Sequence, residues 1–297
     1  MYLQLFSTCL LFINLAVINC KQLPTQLKTV NTTKSSVSSN LSHDMYSGCL
    51  IESMDQVTEF HNPNYPGLDN ISTICALNLK IYDSDVCQVR LDFTNFDLDQ
   101  PTNGNCLGDK FRVTTSAGTP IGVPTLCGRN DNQHFSILFD TNNDGDYRWH
   151  VTATQINCRY EMDMYPYPMP SVAPENCLQY FTSPRGQIQS FNNEHAYLNN
   201  LDYLICVQRG AHTCRVSYSA DHNNFIGIAY TAPDTVKALV GDSACANDYL
   251  VIEGGSRDGN LPTRDRYCGN RLHYANGATV AAPVVSKANG PIALRFY

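Results

Sequence analysis

The spacing of the cysteines constrains this chain more than any other feature. Thirteen are present, and the 11 beyond residue 20 are spread singly, with no CxxC pair. Zinc ribbons and thioredoxin-like redox chemistry therefore find no footing. The intervals repeat: Cys49 to Cys75 is 26 residues and Cys177 to Cys206 is 29, while Cys106 to Cys127 is 21 and Cys245 to Cys268 is 23. In each half one more cysteine follows the first interval, Cys87 and Cys214. The text around them repeats too, "CLGDKFRV" against "CANDYLVI" and "LCGRN" against "YCGNR". Two copies of one unit is the economical reading.

Between the cysteines lie short runs of alternating or β-branched residues, among them "ICALNLKIY", "CQVRLDFTNFDL", "KFRVTT", "HFSILFD" and "RWHVTATQI". Runs of this length, punctuated by Gly, Pro, Asn and Asp, predict an all-β sandwich or barrel. No long stretch of helical period competes. Residues 159–176, "RYEMDMYPYPMPSVAPEN", carry spaced prolines and read as a semi-rigid linker between two domains. At 297 residues, 43% of them hydrophobic, the chain is long enough for two packed cores.

The first 20 residues carry an apolar run, Leu10 to Ile18, broken by Asn14, and they hold no Lys or Arg. The run is too short and too interrupted for the ~20 apolar residues that a bilayer requires, so no membrane span is predicted. It reads as a secretory signal peptide cut near Cys20. Residues 21–48 follow as a Ser/Thr-rich leader too polar to order itself. Glycosylation acceptor patterns stand at Asn31, Asn40 and Asn70. In an exported chain the cysteines default to disulfides, and an odd number leaves one without a partner in the chain. The net charge of -7, with no basic cluster, argues against nucleic acid as a partner.

"PNYPG" at Pro63 to Gly67, "LDFTNFDLD", "CLGD", "LCG" and "WHVTATQINC" resemble a CUB domain, and the second half resembles the divergent copy found in arthropod secreted proteins with paired CUB modules. The resemblance implies two jelly-roll-like β-sandwich domains, residues 49–158 and 177–297. It implies the bridges Cys49–Cys75, Cys106–Cys127, Cys177–Cys206 and Cys245–Cys268, with Cys87–Cys158 in addition. The first copy closes with a return strand ending at Cys158, whereas the second stops at "PIALRFY". Cys214 is thus expected to lack its partner beside an uncovered sheet edge. A C-terminally truncated second module follows from this reading, the chain being either a fragment or a truncated isoform that dimerises through a Cys214 disulfide.

The acids of "FTNFDLDQPTNGNCLGDKF" gather where one run ends and the next begins. "DTNNDGD", Asp140 to Asp146, opens like an EF-hand loop but puts Val151 where the bidentate Glu belongs, and an Asp-Gly turn explains the same letters. By resemblance to calcium-binding CUB modules, Asp99, Asp109 and either Asp140 or Asn142 would hold Ca2+. Three clustered carboxylates repel unless a hard cation gathers them. Asp99 stands where the family usually has Glu, one methylene longer. Asp248 matches Asp109 in the second copy, but no partner acid accompanies it, so no second site is expected.

"GAHTC" and "GDSA" resemble the His and Ser motifs of trypsin-like proteases. His212 and Ser243 are only 31 residues apart, however, and Ala244 replaces the glycine after the nucleophile. His134, His150 and His195 show no paired metal spacing. The Tyr-Pro cluster from Tyr165 to Pro170 could dock a proline-reading groove, but a linker explains it as well. The sequence therefore predicts a non-catalytic secreted protein that recognises an extracellular protein or glycan, with calcium assistance in the first module. The alternatives are the non-catalytic part of a larger secreted protease, or a structural matrix protein.

Overall fold

Period-two alternation becomes strand after strand, and no helix occurs among the described residues. The computed structural model describes residues 12–19, 50–69, 75–83, 85–114, 123–135, 138–140, 148–157, 172–193, 197–220 and 237–297. The first strand, β1 (Phe12–Asn19), precedes an N-terminal half built from β2 (Leu50–Ser53), β3 (Val57–His61), β4 (Ala76–Leu79), β5 (Val86–Asp97), β6 (Lys110–Arg112), β7 (His134–Phe135), β8 (Leu138–Asp140) and β9 (Arg148–Asn157). The C-terminal half holds β10 (Cys177–Phe181), β11 (Arg185–Gln189), β12 (Tyr203–Val207), β13 (Thr213–Ser219), β14 (Ala238–Val240), β15 (Leu250–Ser256), β16 (Arg264–Gly269), β17 (Val284–Ser286) and β18 (Ile292–Phe296).

Strand β9 shows how sequence sets register. Trp149, Val151, Ala153 and Gln155 are buried while the residues between them are half-exposed, as one face of a pleated strand requires. A slip of one residue would carry Trp149 out of the core, so the pairing is strongly specified. Under β5 and β6 the rings of Phe93, Phe96 and Phe111 meet at centroid distances of 4.8–5.5 Å. In the other half Tyr203 lies between Phe191 and Phe296, at 5.0 and 5.8 Å. Buried residues of both halves form one continuous apolar cluster.

The two halves pair their strands alike. Parallel β2 and β4 correspond to parallel β10 and β12, and antiparallel β6 and β8 to β15 and β18. The order β3-β9-β5-β7 of one half returns as β11-β1-β13-β17 in the other. In the C-terminal half the layers join along β15, which pairs with β18 at its start and with β17 at its end, with a bulge against β16 between them.

That correspondence corrects one expectation. The edge predicted to be uncovered is filled: β1, eight residues of the segment read as a signal peptide, lies between β11 and β13 and is antiparallel to both. Cys214, expected to be unpartnered, is disulfide-bonded. The reason is one that local pattern cannot reveal, since a sheet vacancy can be filled by any segment of suitable alternation however distant in the chain.

The halves pack directly on each other. Gln88 exchanges hydrogen bonds with the backbone of Ala173, at 2.9 and 3.3 Å. The Asn192 amide donates to Asn130 Oδ1 at 2.8 Å, and Arg129 N–H donates to Asn192 Oδ1 at 2.9 Å. Gln179 donates to Gln133, whose own amide donates to the Ser190 carbonyl at 3.2 Å. All of these side chains but Gln88 and Arg129 are buried. Gly128 lets the seam close, because its φ is +73° and a Cβ there would lie 2.2 Å from Asn192 Oδ1.

Candidate functional site

The candidate site grows from the end of β5. Leu98 stays buried, so the strand's alternation leaves Asp99 half-exposed at the rim. The Leu98 amide donates to Gly128 O at 3.1 Å and the Gly128 amide to Asp99 O at 2.8 Å, which pins this corner to the segment after Cys127. A tight turn follows, closed by reciprocal backbone bonds between Thr102 and Asn105 at 2.9 and 3.1 Å. Cys106 is then tied to Cys127. The chain returns past Asp99 through Gly108, where a Cβ would come within 2.2 Å of Asp99 Oδ2. The same oxygen accepts the Asp109 amide at 3.1 Å.

Asp109 is 0% exposed and immediately precedes β6, whose first residue, Lys110, is the register partner of Asp140 on β8. Three of the four acidic or amide positions chosen from sequence thus belong to one corner, with Asp140 placed there by backbone register. Asn142 lies outside the described residues. Asp99 and Asp109, 10 positions apart in sequence, meet through a backbone amide, and the Asp109 side chain is wholly buried. The donor set is oxygen only, which suits a hard cation such as calcium. Among the described residues no three His, Cys, Asp or Glu side chains are grouped closely enough to hold a metal.

The matching corner of the C-terminal half is built differently. Asp248 accepts the Tyr197 hydroxyl at 2.8 Å. The Arg266 guanidinium covers the neighbouring Tyr249 ring at 4.2 Å from its centroid. Opposite the acids, the back of the first corner is held by the other half: Asn199 donates to Gly104 O at 2.8 Å and to Asn103 O at 2.7 Å.

His134, read from sequence as an ordinary histidine, sits in the seam between halves. Its Nε2 accepts the Tyr180 amide at 2.9 Å, and its ring meets Phe181 edge-on at 5.1 Å. Burial first, and then the charge of Arg90, lowers its pKa to about 4, so the ring is neutral at pH 7. Sequence reasoning missed this seam altogether. Its available signal was polar residues such as Gln133 and Gln179 at inward positions of alternating runs. His150 is paired with Glu59 on the outer face of β9. His212 and Ser243 are both exposed in turns. His195, the Tyr165–Pro170 cluster, and Asn31, Asn40 and Asn70 lie outside the described residues.

Three bridges are formed between described cysteines: Cys106–Cys127, Cys177–Cys206 and Cys245–Cys268, with Cα separations of 5.6, 5.7 and 5.7 Å. Cys75 and Cys87 are also disulfide-bonded, while Cys49 and Cys158 lie outside the described residues.

No curated protein matches the chain by sequence. Among solved structures, the CUB1-EGF-CUB2 domains of rat MASP-1 are similar at 14% identity and a TM-score of 0.30, covering 83% of this chain and 99% of that one. The CUB1-EGF-CUB2 domain of human MASP-1/3 is similar at 13% identity and a TM-score of 0.29, covering 82% and 99%. Residues 174–297, from just before β10 to Tyr297, match the family model for the animal CUB domain.

Proposed function

We propose that the protein is an exported, non-catalytic recognition protein with two CUB modules, residues 49–158 forming the first and 177–297 the second. The observation that carries this is the strand-for-strand pairing match between the two halves, one of which carries the family match. CUB domains are in general protein-interaction modules, and bridges of this density suit an oxidising, extracellular setting. Residues 1–20 supply the apolar run for export. The partner is an extracellular protein or glycan.

The Asp99–Asp109 corner of the first module is the recognition site. Asp99, Asp109 and the Asp140–Asn142 segment would hold calcium, which would fix the 98–109 loop. The half-exposed Asp99 would then present charge to a Lys or Arg of the partner. Asp248, held by Tyr197, forms no such site.

The test uses the full chain, whose one tryptophan, Trp149, reports on the first half. With 2 mM calcium and a Kd of ~0.1 mM, calcium stabilises the first half by about 2 kcal/mol. That is several degrees in the melting transition followed by Trp149 fluorescence. Asp109→Ala and Asp99→Ala abolish the shift and Asp248→Ala leaves it intact. Capture of extracellular proteins on the immobilised chain falls in EDTA and in the first two variants. An identical melting temperature in calcium and EDTA removes the metal from this reading, and capture indifferent to all three variants removes the site.

A further inference from the structure

The strand β1 occupies a position that the fold cannot leave empty. Strands β11 and β13 run in the same direction and are each antiparallel to β1, so they lie two strand spacings apart, about 10 Å. They cannot pair with each other across that gap. Without a strand between them, both would present unpaired ladder edges beside a buried apolar layer.

The register fits β1 to this slot. Ile13 lies opposite Ile188, Leu15 opposite Tyr218 and Val17 opposite Val216. Those three partners are 2–3% exposed, and residues directly opposed across strands share a sheet face. In the first half the same slot is taken by β9, with Val151 opposite Phe60 and Phe93.

The cysteines repeat the relation. Asn157, the last residue of β9, is the register partner of Val86, and Cys158 and Cys87 come next in their respective strands' sequence. Asn19, the last residue of β1, is the register partner of Thr213, and Cys20 and Cys214 come next. Cys87 and Cys214 are both disulfide-bonded.

We propose that the slot between β11 and β13 is a strand-acceptor site whose occupant is the protein's own segment Phe12–Asn19, secured by a disulfide between Cys20 and Cys214. Main-chain pairing supplies the affinity and the alternation of Ile13, Leu15 and Val17 supplies the register, as in other cases of strand addition. The bridge forms when the two thiols give up two protons and pass two electrons to a protein-disulfide oxidant of the exporting compartment. The apolar N-terminal run then has a structural role after export, and residues 12–20 remain with the folded protein rather than being cut away at Cys20.

Two measurements test this. The first is non-reducing peptide mapping of the exported Cys9→Ser chain, in which Cys20 is the one cysteine before Lys21. A tryptic product joining the peptide that ends at Lys21 to Gly210–Arg215 is expected. An exported chain that begins beyond residue 20, or Cys214 bonded to any other cysteine, overturns the proposal. The second refolds residues 21–297 with and without a synthetic peptide of residues 12–20. A melting temperature several degrees below that of the full chain, or failure to fold, is expected alone, with recovery on adding the peptide. A Leu15→Pro peptide, which removes a ladder hydrogen bond, gives no recovery. If residues 21–297 melt like the full chain, or if the native peptide restores nothing, the slot is not an acceptor for this segment.

Discussion

The two halves close the same sheet with strands of different origin. In the N-terminal half, β9 enters between β3 and β5 from the neighbouring β8, and it carries the buried Trp149, Val151 and Ala153 with it. In the C-terminal half the equivalent place between β11 and β13 belongs to β1, from the opposite end of the chain. A four-strand arrangement can thus be specified by its neighbours, with the strand that completes it drawn from anywhere. The difference extends to chemistry, since Asp99 accepts the Asp109 amide in the half that closes itself, whereas Asp248 accepts the Tyr197 hydroxyl in its counterpart.

The largest test of how separate the halves are is a core truncation in each. Phe93→Ala and Phe296→Ala, at 1% and 2% exposure, each cost about 3–5 kcal/mol. Trp149 fluorescence in a urea titration reads the first half directly. Phe93→Ala lowers that midpoint, and Phe296→Ala lowers it as well if the buried seam makes the halves unfold together. An unmoved Trp149 midpoint in Phe296→Ala would show instead that the halves unfold independently.

A smaller effect comes from His134. Its folded pKa is lowered from 6.5 to about 4, chiefly by burial. Between those values the unfolded chain binds more protons than the folded one, so stability is fully present above pH 6.5 and is lost as pH falls toward 4. The loss between pH 7 and pH 5 is about 2 kcal/mol. The bond from the Tyr180 amide must break when Nε2 is protonated, so the second half feels the change. His134→Gln flattens this part of the pH dependence, as read by urea midpoints at the two pH values.

The smallest effect isolates one seam contact. Asn192 has φ +56°, so Asn192→Gly keeps the backbone unstrained while removing the oxygen that accepts the Arg129 amide. A loss of about 1 kcal/mol follows. It adds to that of Phe93→Ala if the two sites are independent, which a double-mutant cycle checks.

Much of this was legible in the residues. Alternation marked β5 and β9, and the "CG" of both halves marks turns in which Gly128 and Gly269 take positive φ. The acids of one corner were visible because Asp99 and Asp109 flank the same short loop, so that sequence neighbourhood and spatial neighbourhood coincide. The seam was not legible. Asn130, Gln133, Gln179 and Asn192 look like surface polar residues until each meets the other half, where their hydrogen bonds replace water.

By itself the sequence determined the all-β class, the repeat, the cysteine intervals and the clustering of carboxylates, because each depends on residues close in the chain or on a period of two. Only the tertiary structure decided that β1 fills the slot beside β13, that Cys214 is bonded, and that the two halves share a buried polar seam. Those outcomes depend on contacts between segments far apart in the chain, from 46 residues across the seam to about 200 between β1 and β13. An alternating apolar run carries a strand's period but no address, and the vacancy it fits is defined by other strands.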